Sequence, residues 1–243
     1  EMVDFEPVDI DFIRSYDPLP DTDRVELQHA ADLINASKKP FALVGQGVEL
    51  GNAQSELLAF LEKADIPCGR TLLGLSAVPS DCRLNKGMLG MHGNLGPNVK
   101  TNECDVLIAI GMRFDDRVTG NLDTYAKQAK IIHLDIDPSE IGKNVKVDVP
   151  VLGDCKETLA ELTKLIREAK HTEWIDSFAA YEQKEFEQVI EKEVYPKEGP
   201  LNMGEVVNAV SEATRHEAVL VTDVGQNQMM SARYFKYTKN RSI

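Results

Sequence analysis

Apolar residues fall along this chain in two alternating rhythms. Short apolar runs at 41–45, 66–72, 105–111, 130–137 and 149–153 each close on a glycine or a small polar cluster. Continuous runs of this kind predict strands buried on both faces of a parallel sheet. Around them lie stretches with helical spacing. One starts after Asp21 or Thr22, either of which is a plausible cap, and carries Val25, Leu27, Ala30, Ala31, Leu33 and Ile34. A second covers 52–64 with Leu57, Leu58, Phe60 and Leu61, and a third covers 156–169 with Leu159, Leu162, Leu165 and Ile166. Strands alternating with helices predict an α/β fold with a Rossmann-like parallel sheet flanked by helices.

The rhythm changes at three places. Residues 1–20 hold Pro7, Pro18 and Pro20 among acidic and apolar residues, and read as a linker arriving from another domain. Residues 172–194 form a helical stretch with Trp174, Ile175, Phe178, Tyr181, Phe186 and Ile190, closing on the Pro/Gly cluster at 195–200. Beyond it, 202–214 reads as a helix and 218–223 as a strand. The expected organisation is therefore a linker (1–20), one domain (21–170), a connecting helix and linker (171–200), and the start of another α/β domain (201–243). The opening Glu1 and the closing residues 239–243 read as cuts from a longer chain.

With 243 residues and 42% hydrophobic content the chain can bury a sizeable core. Its longest apolar runs fall far short of the roughly 20 residues a bilayer span needs, so no membrane span is expected. A net charge of −13 opposes nonspecific attraction to nucleic acid or anionic lipid. Cys68, Cys82, Cys104 and Cys155 form no CxxC pair and follow no secretory signal, which points to reduced thiols and a cytoplasmic protein.

Five segments carry chemistry. Gly45-Gln46-Gly47 ends the first strand, with Gly51 opening the next helix. This suits either a pyrophosphate approached by backbone or a turn that needs positive φ. Residues 88–96 form a glycine-rich loop with Met88, Met91 and His92, able to lie against a flat ring. Residues 111–120 start where a strand ends and hold Arg113 and Arg117, which can clamp a phosphate or stack on a ring, with Asp115 and Asp116 orienting them. Asp135 or Asp137 can accept from ribose hydroxyls, with helix capping by Asp137 as the alternative. Residues 223–229 follow an apolar run and offer a glycine and amides to a metal-bound diphosphate. No catalytic triad, metal-ligand cluster or P-loop is found, so the residues present bind and position better than they react.

In this order, the strings VGQG (44–47), LGMHG (89–93), GMRFDDRVTG (111–120), HLDIDPSEIGKN (133–144), VLGD (151–154) and DVGQNQM (223–229) resemble the acetohydroxyacid synthase large-subunit family of thiamine-diphosphate enzymes. The resemblance runs from about residue 22 to the C-terminus, and FDDRVTG is its most specific element. It departs from the family at Met112, Asn227 and Met230, where alanine, histidine and tryptophan are usual.

The resemblance implies that 21–170 is the middle, FAD-binding domain and that 201–243 begins the thiamine-diphosphate domain. It places Gly45, Gln46, Gly47, Thr71, Leu72 and Leu73 along the flavin nucleotide, and Leu89, Gly90, Met91 and His92 on the flavin side. Gly111, Met112, Arg113, Asp115, Arg117 and Val118 would surround ring and diphosphate. Asp135, Ile136, Glu140, Asp154 and Cys155 would lie around the adenosine. Val224, Gly225, Gln226 and Asn227 would meet thiamine diphosphate, with Gln228 and Met229 near the flavin. The family's activating glutamate and magnesium motif are not in these residues, so no catalytic residue and no metal ligand is expected here and the piece alone should be inactive.

The implied activity of the whole protein joins decarboxylated pyruvate to a second 2-oxo acid, giving acetolactate or acetohydroxybutyrate for branched-chain amino-acid synthesis, with FAD making no net redox step. A homodimer or homotetramer with a small regulatory subunit is implied too. The alternatives are a sister enzyme such as pyruvate oxidase or glyoxylate carboligase, and a non-catalytic nucleotide-binding module.

Overall fold

The computed structural model describes residues 20–243, so the expected linker, apart from Pro20, lies outside the described residues. Six strands form one parallel sheet: β1 (Pro40–Val44), β2 (Cys68–Arg70), β3 (Asn85–Met88), β4 (Val106–Ile110), β5 (Lys130–Asp135) and β6 (Val149–Leu152). Their order is β3-β2-β1-β4-β5-β6. The chain thus winds outward from β1 in one direction and from β4 in the other. β1 and β4 are buried along their whole length, as their unbroken apolar sequences require. All five predicted runs contain a strand, but β2 and β5 stop two residues early, at Arg70 and Asp135. β3 has no apolar run to announce it: Asn85, Lys86 and Gly87 are half-buried at the sheet edge, and only Met88 is buried.

Alternating side chains serve two cores. On one face Ala42, Val44, Ile108, Ile110, Ile132 and Leu134 pack with helices α1 (Arg24–Ala36), α3 (Gln54–Ala64) and α6 (Cys155–Leu165). Asp23, rather than Asp21 or Thr22, caps α1 by accepting from Val25 N at 2.7 Å. Thr22 instead meets Thr158 through their hydroxyls at 3.3 Å. On the other face Phe41, Leu43, Leu107, Ala109 and Ile131 pack with Cys104, Trp174 and Phe178. Three short helices, unmarked in the sequence pattern, sit in the strand-to-strand connections: α2 (Gln46–Leu50), α4 (Leu95–Thr101) and α5 (Asp116–Thr119).

The helical stretch at 172–194 is not continuous. It divides into α7 (Thr172–Asp176), α8 (Ala179–Glu185), a π-helical turn (Phe186–Ile190) and α9 (Glu191–Val194). The break after Asp176 lets Phe178 bury fully, its ring 5.4 Å from Trp174 edge-on and 5.6 Å from Phe41. Next, α10 (Met203–Ala213) opens with a reciprocal capping box between Asn202 and Glu205. The expected strand at 218–223 is not formed. Neither sheet edge takes it up, and Val219 and Val221 stand 67% and 89% exposed, while Leu220 N donates to Ser242 O and Ala218 and Leu220 pack against Leu75, Met88, Phe235 and Tyr237. Finally, α11 (Gln226–Tyr234) docks through Ala232, Phe235 and Tyr237 onto Leu75 and Met88.

Candidate functional site

Where a sheet of this winding reverses direction, the carboxyl ends of the two central strands diverge and leave a crevice. Here that point lies between β1 and β4. The backbones leaving them touch: Gly45 N donates to Ile110 O at 3.0 Å and Gly47 N to Gly111 O at 2.8 Å. A methyl group on Gly45 would stand 2.3 Å from Gly111 O, and one on Gly111 would stand 2.7 Å from Gly47 Cα. Gly45 has φ −113°, so the GxG needs its glycines for this approach and not for a positive φ. Gly111 does adopt φ +56°.

The neighbouring strand ends complete the edge. Thr71, Leu72 and Leu73 enter a 3₁₀ turn (Leu72–Ala77), tied by Thr71 N to Val44 O at 2.9 Å. Arg70 braces this turn from below, its buried guanidinium donating to Leu75 O at 2.6 Å and Val78 O at 2.9 Å. After β3, Gly90 adopts φ +95° beside Arg117 O, and Met91 N donates to that same oxygen at 2.8 Å. The glycine-rich loop and the arginine loop are thereby one structural unit. Asn98 holds both backbone groups of Gly90, accepting at 2.8 Å and donating at 2.9 Å.

Arg113 and Arg117 are 69% and 71% exposed, with Asp115 and Asp116 at 3.5 and 3.9 Å. Asp115 also caps α5, accepting from Arg117 N and Val118 N. The fully buried His133 fixes the loop from beneath, its Nε2 2.8 Å from Met112 O. Burial depresses its basicity against the opposing pull of Met112 O and Asp135, so the ring stays neutral and donates through Nε2. Asp135 accepts from Asp137 N at 3.0 Å, and Asp137 accepts from Ser139 at 2.8 Å, an Asx turn rather than a helix cap. Those bonds from Ser139 hold the Asp137 carboxyl below its ordinary range. Glu140 is occupied by Lys143 at 2.7 Å.

Asp154 caps α6 by accepting from Lys156 N at 2.9 Å, close to Gly51. Cys155 is buried, which pushes its thiol up to about 12 and leaves it unreactive. The predicted residues therefore divide. Gln46, Leu73, Met91, His92, Arg113, Arg117 and Ile136 present side chains to solvent, while those of Leu89, Met112 and Cys155 belong to the core and leave only backbone to a ligand.

Val224, Gly225, Gln226 and Asn227 are exposed at the start of α11, with Gln228 and Met229 half-buried. Gly225 takes φ +142°, and the Asn227 side-chain oxygen accepts from Gln228 N at 2.8 Å. A Ser211–His216–Glu212 constellation, with contacts of 2.9 and 3.5 Å, imitates a hydrolytic triad. Ser211 is fully buried and accepts from Lys236 N, so it fastens the chain after α11 to α10. Among the described residues no group of His, Cys, Asp and Glu is placed to hold a metal ion, and no helix is long and apolar enough to cross a membrane.

Residues 27–162, more than half the chain, match the family described as thiamine pyrophosphate enzyme, central domain. The chain belongs to this family. The match covers the whole sheet and the loops that follow all six of its strands. This thiamine pyrophosphate enzyme domain is also similar to large subunits of acetolactate synthase. It is 42% identical over 226 residues to a protein of Methanocaldococcus jannaschii bearing the name probable acetolactate synthase large subunit, covering 90% of this chain and 38% of that one. Corresponding figures are 40% over 223 residues for the Mycobacterium tuberculosis subunit, 89% of this chain and 35% of that one. For the Buchnera aphidicola subunit they are 34% over 233 residues, 94% and 40%. The chain spans about two fifths of the length of these curated relatives.

Asn98, Asn144 and Arg70 went unmarked in the sequence. Each is a polar side chain holding a loop backbone, Asn144 through Phe114 O at 2.6 Å. Loop-bracing residues carry no periodicity or spacing by which they announce themselves.

Proposed function

We propose that this chain is the FAD-holding centre of an acetolactate synthase catalytic subunit and carries the first loop of its thiamine-diphosphate site. The observation that carries the reading is the union of the two loops at 88–96 and 111–120 at the crevice between β1 and β4, joined by Met91 N on Arg117 O. Their chemistry fits a flavin dinucleotide. Exposed Leu73, Met91 and Ile136 offer apolar surface to flat rings, and Arg113 and Arg117 offer two exposed guanidiniums to phosphates. Gly45, Gln46, Gly47 and Gly111 allow backbone to approach, and Asp135, Glu140 and Asp154 line the side that would take the ribose. The amides of Gln226, Asn227 and Gln228 fit a diphosphate already neutralised by magnesium, since they bring no charge of their own.

When bound, thiamine diphosphate supplies the nucleophilic carbon at which a 2-oxo acid loses carbon dioxide, while FAD undergoes no net redox change. The residues of this chain bind and orient. Condensation of pyruvate with a second 2-oxo acid, to acetolactate or acetohydroxybutyrate, belongs to the whole protein, as do a homodimeric or homotetrameric assembly, a small regulatory subunit and a cytoplasmic setting. Retained flavin absorbance and acetolactate formation from pyruvate by the whole polypeptide test the reading. Arg113→Ala or Arg117→Ala should each weaken FAD binding about tenfold or more, the loss expected for a charged hydrogen bond. The 243 residues alone should form no acetolactate. A colourless protein that takes up no FAD, or a different product from pyruvate, would sink it.

A further inference from the structure

Arg233 lies near the end of α11, eight residues beyond Gly225, yet its side chain is only 15% exposed. Its Nη1 donates to Gly93 O at 2.9 Å and His92 O at 3.3 Å, and its Nη2 donates to Glu185 at 2.6 Å. Glu185, at the end of α8 and 7% exposed, is fully used: it also accepts from Asn94 Nδ2 at 3.1 Å and from Leu95 N at 2.9 Å, the N-terminus of α4. Asn94 in turn closes the glycine-rich loop on itself, donating to Met88 O at 2.7 Å and accepting from Met88 N at 2.8 Å. One guanidinium and one carboxylate therefore lock three segments that are far apart in sequence.

The balance of anchors along α11 gives this lock a direction. The apolar contacts of the helix fall at its end and just beyond, through Ala232, Phe235 and Tyr237, whereas its first turn is exposed and has no side-chain cap. From Gly225 to Arg233 the helix spans about 12 Å at its ordinary rise, stiff enough to carry a displacement from one end to the other. What orders the first turn therefore steadies Arg233, and what steadies Arg233 sets the carbonyls of His92 and Gly93 in the glycine-rich loop. Truncating one partner of a buried pair leaves the other unpaired, so the link cannot be weakened without cost.

We propose that Arg233 and Glu185 are positioning residues that couple the two cofactor sites, so that thiamine diphosphate at the start of α11 tightens FAD against the loop at 88–96. The proposal rests on the functional reading above. It is tested on the whole polypeptide by measuring the FAD dissociation constant from flavin fluorescence, with and without saturating thiamine diphosphate and magnesium. The unsubstituted protein should bind FAD at least about fivefold tighter when thiamine diphosphate is present, the lower end of ordinary coupling between sites. Arg233→Met should bring that ratio within about twofold of one. Arg233→Lys, which keeps the ion pair but not the fork to both carbonyls, should fall between. Glu185→Gln removes the negative charge and keeps a single acceptor oxygen, so Arg233 loses its ion pair; it should also reduce the ratio, covering the case in which Arg233→Met fails to fold. A purely structural pair would shift the thermal midpoint and leave the ratio intact. Protein that takes up no FAD overturns the functional reading and the coupling with it. Protein that binds both cofactors with a ratio of one, or folded Arg233→Met that keeps the ratio, overturns the coupling alone.

Discussion

His133 shows how much one buried side chain can set. It lies within β5 in full burial, with Nε2 on Met112 O, Phe114 edge-on at 5.1 Å and Nδ1 without a partner among the described residues. The ring thus costs the fold one unsatisfied acceptor while it fixes the start of the arginine loop. Burial, the dominant influence, lowers its basicity below the ordinary value of 6.5. The unfolded chain therefore takes up a proton at this residue near pH 6.5, whereas the folded protein does so only at lower pH. Its contribution to stability is complete above about pH 6.5 and is lost as pH falls, at up to about 1.4 kcal/mol per pH unit until the folded ring protonates as well. Carboxylates such as Asp105, where burial is outweighed by hydrogen bonds from Ser37, Lys38 and Lys39, act at lower pH, below their own ordinary range. Urea unfolding between pH 8 and pH 5 should accordingly show a flatter profile for His133→Asn, which keeps a donor for Met112 O but cannot titrate. An unchanged slope between pH 6.5 and pH 5 would place the acid sensitivity elsewhere.

At the scale of elements, legibility followed burial. β1 and β4 read directly from unbroken apolar runs, and β5 from a run interrupted by His133, because both of their faces are covered. β3 lies at an edge, and its Asn85, Lys86 and Gly87 give no alternation to read. The glycine and arginine loops were legible because a strand ending in Gly45 or Gly111 demands close backbone approach. Their braces, Asn98, Asn144 and the Arg233–Glu185 pair, were not, because bonds across 8, 30 and 48 residues share no spacing and leave no pattern to read. The division of 172–194 was hidden for the same reason, since Lys100 settles it from another element. Its buried ammonium sits 4.9 Å from the Trp174 ring, 5.1 Å from Tyr181 and 5.7 Å from Phe178, and 2.7 Å from Glu103. This amine within three rings ties α4 to α7 and α8. Lys100→Met keeps the apolar stem and leaves Glu103 partly hydrated, so the loss should reflect mainly the cation–π contacts, about 1–2 kcal/mol. Chemical denaturation measures it; a loss near zero would mean that the rings hold α7 and α8 by packing alone.

Over the whole molecule, the covered sheet contrasts with the exposed apolar surface that follows it. The segment at 218–223 reads as a strand from its sequence, yet Val219, Val221 and Val224 face solvent, and Val206 and Val210 on α10 are exposed as well. α10 and the segment at 218–223 thus expose apolar side chains that no element among the described residues covers. Unpaired backbone beside exposed β-branched side chains is a template for association between chains, and contiguous apolar surface adds to the drive. The net charge of −13 opposes this at low ionic strength but is screened within about 8 Å at physiological salt. The 243-residue chain should therefore self-associate increasingly as salt is raised. Val219→Lys with Val221→Asp, both at exposed positions that make no core contact, should suppress this while leaving the sheet intact. Light scattering across a salt series, with far-UV circular dichroism as the check on folding, decides the matter. Association that is unchanged in the double variant would assign the contact to the exposed face of α10 instead.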